Sequence, residues 1–200
     1  MSESNILIQV EQHVTELFAK RSACENIYHN LSHTTEVVDV AEKIAVEENL
    51  SNEDIEILLI SAWFHDTGYF HCYRGHEDQS AEYARDFLIR ISFPEEKINK
   101  ILDCIKATKI PHNPLNKLEQ IICDADLQHL GMTDIEERGE VLRKELEMKG
   151  IKKINSIEWL KSSIDFLLKH KFFTDYAIRM YGEQKRRNLT FLQKKLAALE

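Results

Sequence analysis

Glycine and proline are scarce in this 200-residue chain, with six and three copies respectively. Both residue types are typical of tight turns, and folds built from short β-strands need many such turns. The sequence therefore does not favour a β-sandwich or a β-barrel. Hydrophobic residues make up 43% of the chain and charged residues 30%, which is enough apolar material for a packed core. The composition favours a folded, helix-rich protein.

The chain also lacks an excess of positive charge. It has 26 Lys and Arg residues against 34 Asp and Glu residues, which gives a formal net charge of −8. Proteins that hold nucleic acid stably are more often basic, with the cations clustered on one face. We therefore expect no stable nucleic-acid partner. A phosphorylated substrate would need a local positive centre, and a bound metal ion would supply one.

No apolar run is long enough to span a membrane, and the N-terminal residues show no signal-peptide pattern. The four cysteines are Cys24, Cys72, Cys104 and Cys123, and no two of them form a CxxC pair. Isolated cysteines in apolar helical patterns are typical of free thiols in a reducing compartment. We therefore expect a cytoplasmic protein that has no membrane anchor.

Apolar residues recur at helical spacing along nearly the whole chain, and no convincing strand pattern is present. The spacing predicts an all-α fold in a single domain over residues 1–200. Ser51 is predicted to cap the third helix, and Gly131 to end a sixth helix over residues 116–130. The first helix is predicted to end near Arg21. The nine predicted helices begin near residues 6, 32, 51, 76, 94, 116, 133, 156 and 174.

Histidines and aspartates lie on the apolar faces of three predicted helices. His33 follows the apolar spacing of the second helix, the His65-Asp66 pair ends the third, and Asp126 lies in the sixth. Core-facing imidazoles and carboxylates must be hydrogen-bonded, protonated or bound to metal. Each one alone is more often a hydrogen-bonded core residue, but together they predict a nitrogen and oxygen site for a divalent transition metal. Asp124 also has apolar neighbours one turn away, so the spacing leaves Asp124 and Asp126 as alternatives.

Several strings in the sequence resemble the HD superfamily of metal-dependent phosphohydrolases. They are YHNLSH at 28–33, WFHDTGY at 63–69, HEDQSA at 76–81 and ADLQHLG at 125–131, together with Glu183 and RNL at 187–189, which resemble an uncharacterised branch of predicted phosphohydrolases. The resemblance implies an HD-type helical bundle with a central metal, a core at about 28–131 and C-terminal helices at about 133–200. The metal ligands that it implies are His33, His65, Asp66 and Asp126, so it selects Asp126 over Asp124.

The resemblance also implies a second metal position in some relatives, which add histidines from the fourth helix and the segment that follows the fifth. His76 matches the first of these positions, and His112 is the nearest candidate for the second. The more usual place for that second histidine falls at Thr108. Asp66 would be the ligand shared by two ions, and it is the residue to which we assign catalysis.

Cationic side chains near the predicted loops are candidates for binding the substrate phosphate. Arg74 and Lys109 are the two that we assign to this role, and Lys106 lies close to Lys109 in the sequence. A solvent-exposed surface charge is the alternative explanation for each of them. No glycine-rich phosphate loop is present, so P-loop chemistry is excluded.

The activity implied by the resemblance is hydrolysis of a phosphomonoester or phosphodiester, in a nucleotide, by metal-activated water. The expected cofactor is one or two divalent ions per chain, of Mn, Co, Mg, Ni, Fe or Zn, and the expected partner is a small phosphorylated molecule. Relatives that hydrolyse guanosine alarmones carry an acidic pair soon after His-Asp. This chain continues TGYFH at 67–71 instead, which disfavours alarmone hydrolysis. The alternatives are a dinuclear iron oxygenase and a non-catalytic nucleotide-binding module. The surface of the last helix is a candidate interface for a homodimer.

Overall fold

The computed structural model describes residues 5–20, 26–151 and 153–199. Every regular element in these ranges is helical, which confirms the all-α prediction. None of the described helices is both long enough and apolar enough to cross a membrane. The described α-helices are α1 (Asn5–Lys20), α2 (Leu31–Glu47), α3 (Asn52–Phe64), α4 (His76–Arg90), α5 (Glu95–Ala107), α6 (Lys117–Asp126), α7 (Ile135–Met148), α8 (Ser156–Lys169) and α9 (Asp175–Ala197), and two short 3₁₀ helices lie at Thr67–Phe70 and Gln128–Gly131.

The chain separates into two compact units. The first holds the described residues of Met1–Ala23 together with His29–Asp126, and it contains α1 to α6. The second holds the described residues of Cys24–Tyr28 together with Leu127–Glu200, and it contains α7 to α9. That both units belong to a single domain stays a prediction.

Helix α3 is the centre of the first unit. All eight residues from Ile57 to Phe64 are buried, including the hydroxyl-bearing Ser61, whose Oγ donates to the carbonyl of Ile57 at 2.8 Å. A helix that is apolar on all sides is stable only when it is surrounded. Helix α3 contacts α1, α2, α4, α5 and α6. The two residues that follow it, His65 and Asp66, therefore start from a position fixed by the core.

Side-chain caps set where α2 and α3 begin. The Asn30 side chain accepts a hydrogen bond from the backbone N–H of His33 at 3.1 Å. Ser51 accepts one from the N–H of Asp54 at 3.1 Å, as the sequence predicts. Such caps satisfy backbone donors that the first helical turn leaves without partners. The Asn30 cap places His33 in the first turn of α2, at a defined rotation about the helix axis.

The second unit has its own apolar core. Its α8 and α9 pack against each other, and α9 also contacts the 3₁₀ helix at Gln128–Gly131. Asn188 of α9 is buried and donates from Nδ2 to the carbonyls of Leu130 and Met132, at 2.9 and 2.7 Å. The buried apolar residues of this core are Leu127, Leu130, Ile135, Leu160, Leu167, Phe172, Ala177 and Leu192.

The predicted sixth helix over 116–130 is wrong in its last four residues. Helix α6 ends at Asp126, and Leu127 leaves the helical conformation before the 3₁₀ helix begins. Asn188 binds the carbonyls of this segment from outside, and Gly131 packs directly against Tyr181. The local hydrogen bonds of this segment run from Leu130 to Leu127 and from Met132 to His129, so its turns are 3₁₀ rather than α-helical.

Further details concern the segments after α3 and α5 and the cysteines, which are free thiols as the sequence predicts wherever they are described. The segment after His65-Asp66 contains the 3₁₀ helix Thr67–Phe70, and α5 ends at Ala107. Cys104 and Cys123 are buried free thiols, and Cys72 is a partly exposed one. Arg21 and Cys24 lie outside the described residues, so the predictions made for them stay predictions.

Gly68 allows the turn after α3 to pack against the start of α4. Its N–H donates to Ser80 Oγ at 2.8 Å, and a Cβ at this position would lie 2.0 Å from the carbonyl oxygen of His76. We expect Gly68→Ala to lower the free energy of unfolding by about 1–3 kcal/mol or more, because overpacking forces the backbone to shift. Chemical denaturation followed by circular dichroism measures this change.

A second glycine provides the matched control. A Cβ on Gly139 would make ordinary contact, at 3.6 Å from Trp159 Nε1. Gly139→Ala should raise the free energy of unfolding by roughly 0.5–1 kcal/mol, because alanine favours the interior of a helix. Equal responses of the two alanine variants would contradict the close packing inferred at Gly68.

Candidate metal centre

Three helix ends bring two imidazoles and two carboxylates together inside the first unit. His33 comes from the first turn of α2, His65 and Asp66 follow α3, and Asp126 is the last residue of α6. His33 Nε2 lies 3.3 Å from both Asp66 Oδ2 and Asp126 Oδ1. His65 Nε2 lies 3.3 and 3.6 Å from the same two oxygens. The structure thus brings together all four residues that the sequence singles out.

The spacing of these atoms suits a cation. Two donor atoms about 2.1 Å from one ion, at roughly 90–110° to each other, are separated by about 3.0–3.5 Å. The measured separations are 3.3–3.6 Å. They exceed the length of a charge-assisted hydrogen bond, which is about 2.7–2.9 Å. His33, His65 and Asp66 form a compact buried group that can hold a metal ion, and Asp126 offers a fourth donor to it.

The protonation of His65 also fits metal binding. Its Nδ1 lies 2.7 Å from the carbonyl oxygen of Ala62, and a carbonyl can only accept, so Nδ1 carries the proton. In the neutral ring, Nε2 then presents its lone pair to the cluster, which is the arrangement usual for a metal-bound histidine. His65 Nε2 and Asp66 Oδ2 are buried and make no hydrogen bond in the described part of the chain. Buried polar atoms of this kind need a partner, and a divalent cation would satisfy both.

In the absence of a cation, protons take its place. Burial alone lowers the pKa of His33, but the adjacent carboxylates of Asp126 and Asp66 outweigh burial and raise it to about 9. The same carboxylates raise the pKa of His65 against the effect of burial. Burial favours the neutral forms of Asp66 and Asp126, yet the neighbouring imidazoles hold the pKa of each carboxyl well below its usual range. A metal ion must therefore displace protons from the imidazoles.

The choice between Asp124 and Asp126 follows from helix geometry. Asp126 Oδ1 contacts both imidazoles, and it belongs to the same helix as the fully buried Asp124. Residues two apart on an α-helix point in nearly opposite directions. Placing Asp126 in the cluster therefore directs Asp124 away from it.

A second set of donors adjoins the first. His76 Nδ1 lies 3.0 Å from the carbonyl of Tyr73, which leaves Nε2 facing Asp66 Oδ1 at 3.6 Å. Glu77 Oε1 lies 3.7 Å from the same nitrogen. Asp66 therefore directs one oxygen at His33 and His65 and the other at His76.

His112 is less closely associated with this cluster. Its Nε2 lies 3.1 Å from the carbonyl of Thr108, and among the described residues it forms no ion pair with a carboxylate. Burial lowers the pKa of His112, which favours the neutral ring. Thr108 is buried, and its hydroxyl donates to the carbonyl of Ile105 at 2.7 Å, so it caps the end of α5.

The Tyr69 ring stacks on His76, a contact that was not predicted from the sequence. The Tyr69 ring lies between two imidazoles, with centroids 3.8 Å from His29 and 3.7 Å from His76. His29 is buried and also meets His33 edge-on at 6.0 Å. Burial raises the pKa of Tyr69, so its hydroxyl keeps its proton. The sequence shows His29 within the string YHNLSH, close to His33. Its role could not be predicted, because it depends on stacking against Tyr69, which lies 40 residues further along the chain.

The proposed phosphate-binding cations lie at the surface. Arg74 and Lys109 are exposed, and Lys109 Nζ pairs with the Asp78 carboxylate at 3.5 Å. Lys106 is exposed as well. Within the described ranges, no hydrogen bond or ion pair joins Arg74 or Lys109 to the histidine and aspartate cluster. Their role in binding a substrate stays a prediction.

Comparisons with known proteins give a family match over the part of the chain that contains the cluster. Residues 30–130 match the family model of the HD domain, a range that contains the whole cluster. A predicted HD superfamily hydrolase from an uncultured Thermotogales bacterium is similar in structure, with a TM-score of 0.63, 21% identity and coverage of 97% of this chain and 93% of that one. A protein from Lactobacillus plantarum has a TM-score of 0.74, 14% identity and coverage of 100% and 99%. At these identities the two structures show the fold, and a search of curated proteins found no match.

The raised pKa of His33 predicts how stability changes with pH when metal is removed. Because this pKa is about 9 in the folded state against the ordinary 6.5, the proton's stabilising effect is complete below pH 6.5 and is lost as pH rises through about 9. We expect the free energy of unfolding of chelator-treated protein to fall by on the order of 3 kcal/mol across this window. Saturating Mn²⁺ should remove most of this decrease, because the cation replaces the proton. A metal-free stability that is constant across the window would contradict the proton-held cluster.

Substitutions of the two neighbouring aspartates should have different effects on the affinity for metal. Asp126→Asn should weaken Mn²⁺ binding by at least about 100-fold, beyond the 10–100-fold typical of outer partners of a metal site. Asp124→Asn should bind Mn²⁺ like the unmodified chain, since its side chain points away from the cluster. Isothermal titration calorimetry measures both affinities. Loss of binding in Asp124→Asn with retention in Asp126→Asn would reverse the assignment.

Proposed function

This chain belongs to the HD domain family. We propose that it is a hydrolase that cleaves a phosphomonoester or phosphodiester with a divalent metal ion as cofactor. We propose a nucleotide as the substrate class. The similar structure from Thermotogales is named a predicted HD superfamily hydrolase, which supports the hydrolase part of this proposal.

One observation carries the proposal most directly, namely the buried cluster of His33, His65, Asp66 and Asp126. Its donors are two imidazole nitrogens and two carboxylate oxygens, a mixture that suits divalent ions such as Mn²⁺, Co²⁺, Ni²⁺, Fe²⁺ and Zn²⁺. When bound, such an ion acts as a Lewis acid that lowers the pKa of water and neutralises charge on phosphoryl oxygens. His33 and His65 are neutral ligands, so the two carboxylates supply the charge that balances one divalent cation.

The residues around the cluster have separate tasks in this proposal. Asp66 would hold the cation together with His33 and His65, which its Oδ2 faces, while its Oδ1 faces His76. Tyr69 and His29 fix the His76 ring by stacking. Arg74 and Lys109 are proposed to meet the substrate's phosphate from the surface, because the chain's net charge of −8 would otherwise repel it.

Two alternative functions receive less support from the geometry. A dinuclear iron oxygenase needs a full six-ligand set, and the hydroxyl of Thr108 is engaged with Ile105 at the position usual for one histidine. A non-catalytic nucleotide-binding module would be expected to have lost ligands. The four donors supplied by His33, His65, Asp66 and Asp126 are all present and close together.

Phosphate release in the presence of added metal tests the proposed function. The purified chain would be assayed on nucleotides and phosphodiesters with Mn²⁺, Co²⁺, Mg²⁺ or Ni²⁺, beside Asp66→Asn. We expect metal-dependent release that falls by at least about 100-fold in the variant, because it loses the anionic ligand that holds the cation. Asp103→Asn, which removes an exposed carboxylate on α5, should retain the full rate.

Each outcome of this assay has a distinct meaning. Release that is lost in Asp66→Asn and retained in Asp103→Asn supports the hydrolase. Binding of metal without hydrolysis of any phosphate ester would reject it and favour the oxygenase, particularly if the bound metal is iron. Failure of the unmodified chain to bind metal would reject the metal site altogether.

A further inference from the structure

Glu77 is a buried carboxylate that the sequence analysis leaves without a role. It is the second residue of α4 and is 7% exposed. Its Oε2 atom is buried and makes no hydrogen bond in the described part of the chain. An ionised carboxylate in this position is unfavourable unless a proton, a water molecule or a cation partners it. The unpartnered oxygen therefore points to a missing ligand.

The surroundings of Glu77 favour a cation as that ligand. Glu77 Oε1 lies 3.7 Å from His76 Nε2, and this nitrogen lies 3.6 Å from Asp66 Oδ1. The proton on His76 Nδ1 is used by the carbonyl of Tyr73, so the neutral ring presents the lone pair of Nε2 between two carboxylates. These two separations lie at or slightly above the upper end of the 3.3–3.6 Å range within the first cluster.

Charge balance gives Glu77 a specific task. The first cluster contributes two carboxylates, which balance one divalent ion. A second ion held only by the shared Asp66 and neutral imidazoles would bring two positive charges into a buried site without new negative charge. Uncompensated buried charge is strongly unfavourable. Glu77 supplies the third carboxylate. His112 cannot supply this charge, because an imidazole is a neutral ligand.

The type of donor also matters. Carboxylate oxygens are preferred by Mg²⁺ and Mn²⁺, whereas imidazoles suit iron, nickel, copper and zinc. We propose that Glu77 is the ligand that allows a second divalent cation to bind beside Asp66 and His76, at a position weighted toward oxygen donors and suited to Mn²⁺ or Mg²⁺. The inference rests on the proposed function, because Asp66 also serves the first ion. It differs from the second position expected from the sequence, which used His76 and His112.

The number of Mn²⁺ ions bound per chain tests this inference. Equilibrium dialysis of the full chain against Mn²⁺, followed by metal analysis, should give two ions per chain for the unmodified protein. Glu77→Gln has the same shape without the charge, and it should give one ion per chain, or a second affinity at least about 100-fold weaker. The unmodified protein should also show an electron paramagnetic resonance signal of two coupled Mn²⁺ ions, which is absent in Glu77→Gln.

Two further variants separate charge from shape. Asp78→Asn removes the next carboxylate along α4, which is exposed and pairs with Lys109, and it should still bind two ions. Glu77→Asp keeps the charge but is one methylene shorter, so it should bind the second ion more weakly than the unmodified chain and more tightly than Glu77→Gln. Circular dichroism of each variant establishes that it is folded. If one variant is less stable, the difference in Mn²⁺ affinity between Glu77→Asp and Glu77→Gln still shows whether the carboxylate charge holds the second ion.

The outcomes distinguish this inference from the proposed function. Two ions in Glu77→Gln with unchanged affinities, or a single ion in the unmodified chain, would overturn the role of Glu77 and leave the first metal site intact. Absence of Mn²⁺ from the unmodified chain would overturn the proposed function as well. Two ions that become one in Glu77→Gln alone, with Asp78→Asn unchanged, would establish the second position.

Discussion

Two carboxylates buried close to the same imidazoles repel each other, and the arrangement around Asp66 and Asp126 depends on how that repulsion is offset. Without a cation, protons on His33 and His65 offset it, at the cost of keeping charged rings in the core. With a divalent ion, the rings are neutral and the two carboxylates balance the metal. The cluster therefore has two stable electrostatic states, and the transfer from one to the other exchanges protons for a cation.

Asp66 is the residue on which this balance is centred. Its Oδ2 faces His33 and His65, and its Oδ1 faces His76. A carboxylate with both oxygens directed at different histidines can couple two groups of donors, so a change in one group alters the electrostatic potential in the other. Its position is secure because α3, which precedes it, is enclosed by the five other helices of the first unit.

The sequence predicts much of the cluster because its residues interrupt regular apolar spacing. An imidazole or carboxylate on an apolar helix face is conspicuous, and His33 and His65 both stand out in this way. The spacing alone left Asp124 and Asp126 as alternatives, and the family resemblance was needed to select Asp126. The 3₁₀ segment at Gln128–Gly131 could not be predicted, because the carbonyl of Leu130 is bound by Asn188, which is distant in the sequence. The stacking of His29 on Tyr69 is also a long-range contact. Glu77 could be seen in the sequence, but only the structure shows that its Oε2 is enclosed and without a donor.

The central position of α3 has a consequence for the way the site opens. Amide groups of a helix surrounded by packed neighbours exchange with solvent only on extensive unfolding, whereas the terminal turns of helices fray readily. Asp66 follows the protected helix directly, while His33 lies in the first turn of α2 and Asp126 is the last residue of α6. Local opening therefore releases the donors of α2 and α6 before those that follow α3. Escape of an ion bound there would need only fraying at these two ends and not unfolding of the core.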